Sequence, residues 1–160
     1  MKTRAKKSWR EKLADDKDLP KVCVVTEKLS KRWGEGRFVI PAPREVDALM
    51  KQVPQGRLVT INELRAALAR KHNVDFACPI TTGIFSWIAA NAAAEEEAAG
   101  RKHVTPYWRT LKMGGEVNPK YPGGTSGLAE RLRAEGHTIL ARGKRLLVCD
   151  YEKVLFRKLV

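Results

Sequence analysis

Cysteine is scarce and badly placed for shared chemistry. Only Cys23, Cys78 and Cys149 occur, an odd number spread along the chain with no CxxC and no Cys/His spacing. A disulfide framework and a thiolate zinc site are excluded on that basis, and a reducing cytoplasm is the expected compartment. His72, His103 and His137 are just as dispersed, and HExxH is absent, so neither a metal nor another cofactor is expected. GxSxG and the P-loop pattern GxxxxGKS/T are missing, and "GGTSG" at 123–127 reads as a flexible turn. Long apolar runs are missing as well. The most apolar window, 84–94, is broken by Ser86 and Asn91 and followed by three glutamates, well short of the roughly 18 apolar residues of a membrane span. The opening "MKTRAKKSWREK" is basic but has no apolar stretch of the kind a secretory signal needs.

What is abundant is positive charge. Against 18 acidic residues stand 31 Lys and Arg, a formal net charge of +13, and a surplus of that size in a small protein points to a polyanion, most often nucleic acid. A basic surface that merely aids solubility is the competing reading. The 160 residues suffice for one ordinary domain with extensions, and 43% hydrophobic residues with four Trp can build its core.

Residues 1–33 carry eleven Lys or Arg against five acids, a net +6, yet "KVCVVTEKL" contains a strand-like apolar run. Pro41 and Pro43 mark a boundary, because the residue before each proline is pushed out of the helical region. Beyond it Val46, Leu49, Met50 and Val53 recur at helical spacing on one face. Thr60 and Glu63 have the spacing of a capping box, opening a helix that buries Ile61, Leu64 and Leu68 and ends near His72-Asn73. A third helix is expected after Pro79, with Ile80, Ile84, Trp87 and Ile88 as its buried face and Gly100 as its stop. Glu95–Glu97 oppose the helix dipole at its end, with solvent exposure the only account available. A short helix "SGLAERLRAEG", a hairpin around Arg142-Gly143 and a last short helix in "DYEKVLFRKL" complete the chain. The two central helices and the basic loop after them have the layout of a helix-turn-helix core.

One thiol invites attention: Cys78 precedes Pro79 at a helix start, where the dipole favours a thiolate. A small buried apolar residue at a helix junction is the other reading. The stretch "TPYWRTLKMGGEVNPKYPGG" (105–124) interleaves aromatics, cations and glycines, as suits rings that stack on bases and cations that meet phosphates. Tyr107 and Trp108 as core residues under the helices are the alternative.

From Arg44 to Gly136 the order of three segments resembles the C-terminal domain of the O6-alkylguanine-DNA alkyltransferases. "VPQGRLVTINELRAAL" (53–68), "TPYWR" through "YPGG" (105–124) and "LRAEG" (132–136) carry the resemblance. It implies an α/β (α+β) fold with a winged-helix, helix-turn-helix core over 42–136, flanked by a basic extension, 1–41, and a C-terminal hairpin and helix, 137–160. The departures from the family pattern decide the expected activity. Tyr107 stands where the family has its alkyl-accepting cysteine, and Trp108 where it has histidine. A phenol with a reference pKa near 10 is a poor substitute for a thiolate, so methyl transfer by the family mechanism should be absent. Glu135 occupies the relay glutamate's place with no histidine to orient. The family's base-flipping tyrosine falls at Ile61, and its intercalating arginine at Ile80, which could still wedge between bases as apolar residues do elsewhere but is expected in the core.

The branch this resembles is the alkyltransferase-like proteins, which bind alkylated DNA without repairing it. On that reading the partner is double-stranded DNA, alkylated or otherwise distorted, with repair proteins beyond it, and the protein is a monomer with no membrane partner. Thr81, Thr82 and Ser86 would face the groove, while Lys112, Lys120, Arg142, Lys144 and Arg145 would meet phosphates. Tyr107, Trp108, Tyr121, Gly123 and Gly124 would form the lesion pocket, with Pro106, Arg109 and Glu135 structural. A degenerate scaffold for a protein partner, a methyltransferase using Cys78, and RNA as the polyanion are the alternatives.

Overall fold

A computed structural model describes residues 6–160. Ser8 opens α1 (Trp9–Ala14) by accepting the Glu11 backbone N–H. β1 (Lys21–Val24), α2 (Glu27–Trp33) and β2 (Arg37–Ile40) follow, then α3 (Pro43–Lys51), β3 (Val59–Thr60) and α4 (Ile61–His72). β4 (Phe76–Ala77) leads into α5 (Pro79–Ala98), and a 3-10 turn at Tyr107–Arg109 precedes β5 (Thr110–Leu111) and α6 (Gly124–Ala134). The hairpin β6 (Ile139–Arg142) and β7 (Arg145–Val148) and a second 3-10 turn at Tyr151–Val154 close the chain. The class is mixed α/β, as expected, with α4, the β4 connector and α5 in helix-turn-helix order.

The capping-box reading of α4 holds in detail. Thr60 Oγ1 accepts the Asn62 N–H at 3.2 Å, and the Glu63 carboxylate takes the Thr60 N–H at 2.9 Å and the Thr60 hydroxyl. Asn73, left-handed at φ 52°, ends the helix by donating to Ala69 and Arg70 carbonyls. The apolar stripe of α3 is buried as its spacing predicts, with Val46, Leu49, Met50 and Val53 all in the core alongside Leu64 and Leu68 of α4. Strands too short to read from alternation complete the frame. β2 runs antiparallel to β1 and parallel to β4, and β3 pairs in parallel with β5.

The orientation of α5 departs from expectation. Ile80, Ile84 and Trp87 face outward, and the buried face is Thr82, Phe85, Ser86, Ala89, Ala90, Ala92 and Ala93. α5 packs closely on α3, and small residues let two helix backbones approach where Ile and Trp would hold them apart. The large residues are therefore on the far side, and Ile80 is not a core residue.

The acidic run at the end of α5 also has a purpose. The Glu95 carboxylate accepts the backbone N–H groups of Trp9 and Arg10, at 3.0 and 3.5 Å, and Arg10 Nε at 3.2 Å. It thus caps the positive end of α1 and holds it on α5, where Trp9 meets Trp87 edge to face at 4.7 Å. The Trp9 amide, first among the causes, and then Arg10, through its side chain and its amide, keep the Glu95 carboxyl below its usual range against the effect of burial. Glu97 pairs with Arg131 at 3.0 Å.

The segments 1–41, 42–136 and 137–160 share one core, which takes in Val39 from the first and Val148 and Leu159 from the last. The chain end runs back along the helices: Leu58 donates to the Val154 carbonyl, and Phe156 to that of Leu58. The hairpin is tied to the 114–117 turn by Val117 N–H to Leu146 O at 2.8 Å and Val148 N–H to Gly115 O at 3.0 Å. Changes of sequence pattern at 41 and 136 do not coincide with breaks in packing.

Gly115 is where that turn requires glycine. Its φ is 84°, and an added Cβ would overlap the Tyr151 ring. Gly115→Ala is expected to cost about 3 kcal/mol of stability, from left-handed strain and overlap together, as measured by urea unfolding. Adding Tyr151→Ala should relieve the overlap and leave the strain, so the double variant should unfold less readily than the sum of the singles predicts.

Candidate nucleic-acid interface

Two surfaces meet around α5, one closed and one open. The closed one holds Tyr107 and Tyr121, while Trp108, with Pro106, Arg109 and Arg131, lines a separate cleft of about 410 Å³. Tyr107 and Tyr121 are only 3% and 4% exposed, their rings meeting edge to face with centroids 6.4 Å apart. Tyr121 donates its hydroxyl to Ser86 Oγ at 3.0 Å, and Ser86 donates in turn to the Gly83 carbonyl at 2.8 Å. Burial pushes the Tyr121 phenol up to about 12, and it raises Tyr107 as well, helped by Glu97 and opposed by Arg131. Neither phenol supplies a phenolate near neutral pH. The two tyrosines fill the space between α5 and the loop, which matches the alternative reading of Tyr107 as a core residue under the helices. Gly123, exposed and left-handed at φ 91°, and Gly124 start α6 and turn the chain after Tyr121.

The three α5 hydroxyls expected in a groove also point elsewhere. Thr82 is buried and donates to the Cys78 carbonyl at 2.6 Å; Ser86 belongs to the tyrosine network. Thr81 Oγ1 is shielded from solvent and has no hydrogen-bond partner among the described residues. All three assignments are corrected, for the same reason that α5 turned its large residues outward. Cys78, at the N-cap of α5, is buried, with its carbonyl accepting from Thr82. That environment matches the reading of a small apolar residue at a helix junction.

Glu135 is more occupied than its sequence context suggested. Trp108 Nε1 donates to it at 2.7 Å, and Arg109 reaches it through Nε at 2.8 Å and Nη2 at 3.0 Å. Arg109 Nη1 then donates to the Val53 carbonyl at 2.8 Å, which joins the end of α3, the Pro106–Arg109 turn and the end of α6. The indole thus takes a hydrogen bond from the loop to the glutamate, so Glu135 does have a partner to orient. Burial alone would raise the Glu135 carboxyl, but the bonds from Arg109 and Trp108 outweigh it and hold the carboxyl below its ordinary range. Arg131 lies over the Trp108 ring at 4.4 Å. Pro106 is buried at the start of this turn.

The open surface is the outward stripe of α5. Ile80, Ile84 and Trp87, at i, i+4 and i+7, are 53%, 46% and 37% exposed. With Gly83 they form one wall of a cleft of about 430 Å³ whose other wall is Lys112, Asn118, Pro119 and Lys120. Lys112 also approaches Glu116 at 3.6 Å, and Glu116 accepts from Arg145 at 3.2 Å. The structure therefore brings Lys112, Lys120 and Arg145 to one side, with the exposed Arg142 at the end of β6 and Lys144 in the hairpin turn next to Arg145. Sequence reasoning found these cations but missed Ile80, Ile84 and Trp87 as surface. Their spacing was legible, but it was read as the core side.

The fold and the site define a class: a basic mixed α/β protein with a filled aromatic centre and an apolar, cation-flanked helix face. No family model and no curated protein matches the chain. Among solved structures it is similar to the crystal structure of S. pombe Atl1 in complex with damaged DNA containing O6-carboxymethylguanine. That likeness is at 17% identity over 71% of this chain and 93% of that one, with a TM-score of 0.42.

The Arg109–Glu135 pair, with side chains 14% and 9% exposed, sets a pH test. Glu135→Gln should cost about 3 kcal/mol at neutral pH, because Arg109 is left buried with no carboxylate. The folded carboxyl is more acidic than the ordinary glutamate value of about 4.3, so its contribution is complete above that pH and is lost as pH falls through the lower folded value. Urea unfolding of wild type and variant should therefore converge as pH falls below about 4.

Proposed function

We propose that this chain is a non-catalytic DNA-binding protein of the alkyltransferase-like type. The observation that carries this reading is the Tyr107–Trp108 pair. At the place where the resemblance puts a nucleophile and its base, it puts a buried phenol moved away from ionisation and an indole bonded to Glu135. Neither can accept an alkyl group by displacement at neutral pH. The net charge of +13 and the grouping of Lys112, Lys120 and Arg145 beside the exposed α5 face support a polyanionic partner held through its phosphates. By the resemblance, that partner is double-stranded DNA, and repair proteins are the onward partners of a monomer acting in the cytoplasm; with Tyr107 and Tyr121 buried, distortion of the duplex rather than the alkyl group is what it would recognise.

A scaffold for a protein partner would instead bind without DNA and hold at high salt. A methyltransferase working through Cys78 would need that buried thiol to reach a base.

Fluorescence anisotropy with matched duplexes, with and without one O6-methylguanine, tests the reading. Binding to both should weaken roughly 100-fold between 50 and 200 mM salt, as about four phosphate contacts require. The two affinities should agree within about threefold, because the tyrosines fill the space an extruded base would need. Clear preference for the lesion would mean that Tyr107 and Tyr121 swing aside. Transfer of label from alkylated DNA to the protein, abolished in Cys78→Ala, would sink the non-catalytic reading.

A further inference from the structure

Resting on the DNA-binding reading above, we infer that the cleft between α5 and the 112–120 loop is a site for unstacked bases. It would take single-stranded or bulged nucleic acid in preference to a continuous duplex.

The chemistry of the two walls carries this. Ile80, Ile84 and the Gly83 backbone between them offer apolar surface, and Trp87 adds an aromatic ring. A duplex groove is read by hydrogen-bond donors and acceptors, which the isoleucines lack and the indole supplies only at one N–H. The flat face of a base, by contrast, is matched by apolar and aromatic surface, and it is available only where stacking is broken. On the facing wall stand Lys112 and Lys120, and among the described residues no acidic one lines the cleft. Lys120 forms no ion pair among the described residues. Apolar floor and cationic rim together suit a base whose own phosphates lie a few ångströms from its ring. The volume, about 430 Å³, leaves room for a base with part of its backbone.

The site is also braced. Trp9 meets the Trp87 ring at 4.7 Å and 82°, and α1, which carries Trp9, is held in place by the Glu95 carboxylate. An aromatic platform held by a second indole loses little freedom on binding. Ile80, Ile84 and Trp87 are exposed and stand outside the hydrophobic core, so the stripe contributes little to the packing that keeps α5 folded.

The experiment is anisotropy with a labelled duplex, fully paired or carrying a short bulge of unpaired bases. The bulged duplex should bind about tenfold tighter, the scale of one base stacked on an aromatic ring. Trp87→Ala should bring the ratio to within about twofold. Because Trp87 also braces Trp9, Ile84→Ser is the second variant, and it too should shrink the ratio while its thermal melt stays near wild type. Lys120→Gln should weaken binding to both duplexes and keep the ratio. Equal binding of bulged and paired duplexes would overturn this inference and leave the DNA-binding reading standing. Failure to bind either duplex, with an acidic amphipathic peptide bound instead at the same cleft, would overturn both.

Discussion

Arg109 joins three pieces of chain that are remote in sequence. One edge of its guanidinium takes the Glu135 carboxylate at the end of α6, another nitrogen takes the Val53 carbonyl just past α3, and its own backbone is the turn that carries Tyr107 and Trp108. Two planar, oppositely charged groups meeting with little water around them give strong directional bonds, and removing either partner would leave a buried charge. With this knot in place, the 105–111 segment can lie as β5 beside β3, and Tyr107 is held under α5. Without it, neither the aromatic centre nor the loop facing α5 has a defined position.

From that constraint the two surfaces of α5 follow. Its inner face is alanine-rich and sits close to α3, while Ser86 and Tyr121 seal the space beside Tyr107. Since one side of the helix is committed to close contact, Ile80, Ile84 and Trp87 at the other phase are left facing solvent, while Ile88 stays half-buried against the core. Filling the aromatic centre and exposing Ile80, Ile84 and Trp87 are thus two results of one helix rotation. A protein built this way has its tyrosine centre filled and a prepared apolar surface at its edge.

The N-terminal segment belongs to the same device. Glu95, placed at the unfavourable end of its own helix, is compensated by capping another, and it thereby fixes Trp9 against Trp87. A helix of six residues is too short to persist by itself, and docking on α5 is what makes it a structured part of the protein.

Much was legible in the linear chain: the α3 stripe, the Thr60–Glu63 capping box, the end of α4 near His72-Asn73, the hairpin around Arg142-Gly143 and the mixed α/β class. Each depends on residues within a few positions of one another, where backbone geometry and side-chain spacing suffice. The cations around 112–120 and 142–145 were legible too, because charge is rarely hidden. The short strands β3, β4 and β5 were not, since two-residue pairings are set by partners tens of residues away. The rotation of α5 was not legible either. Its sequence offers two plausible buried faces, one of large aliphatic residues and one of small residues, and periodicity alone favours the more hydrophobic. Only the approach of α3, which needs small side chains for close packing, selects the alanine face. That choice, made in three dimensions, turned Ile80, Ile84 and Trp87 from core into surface and closed Tyr107 and Tyr121 into the interior.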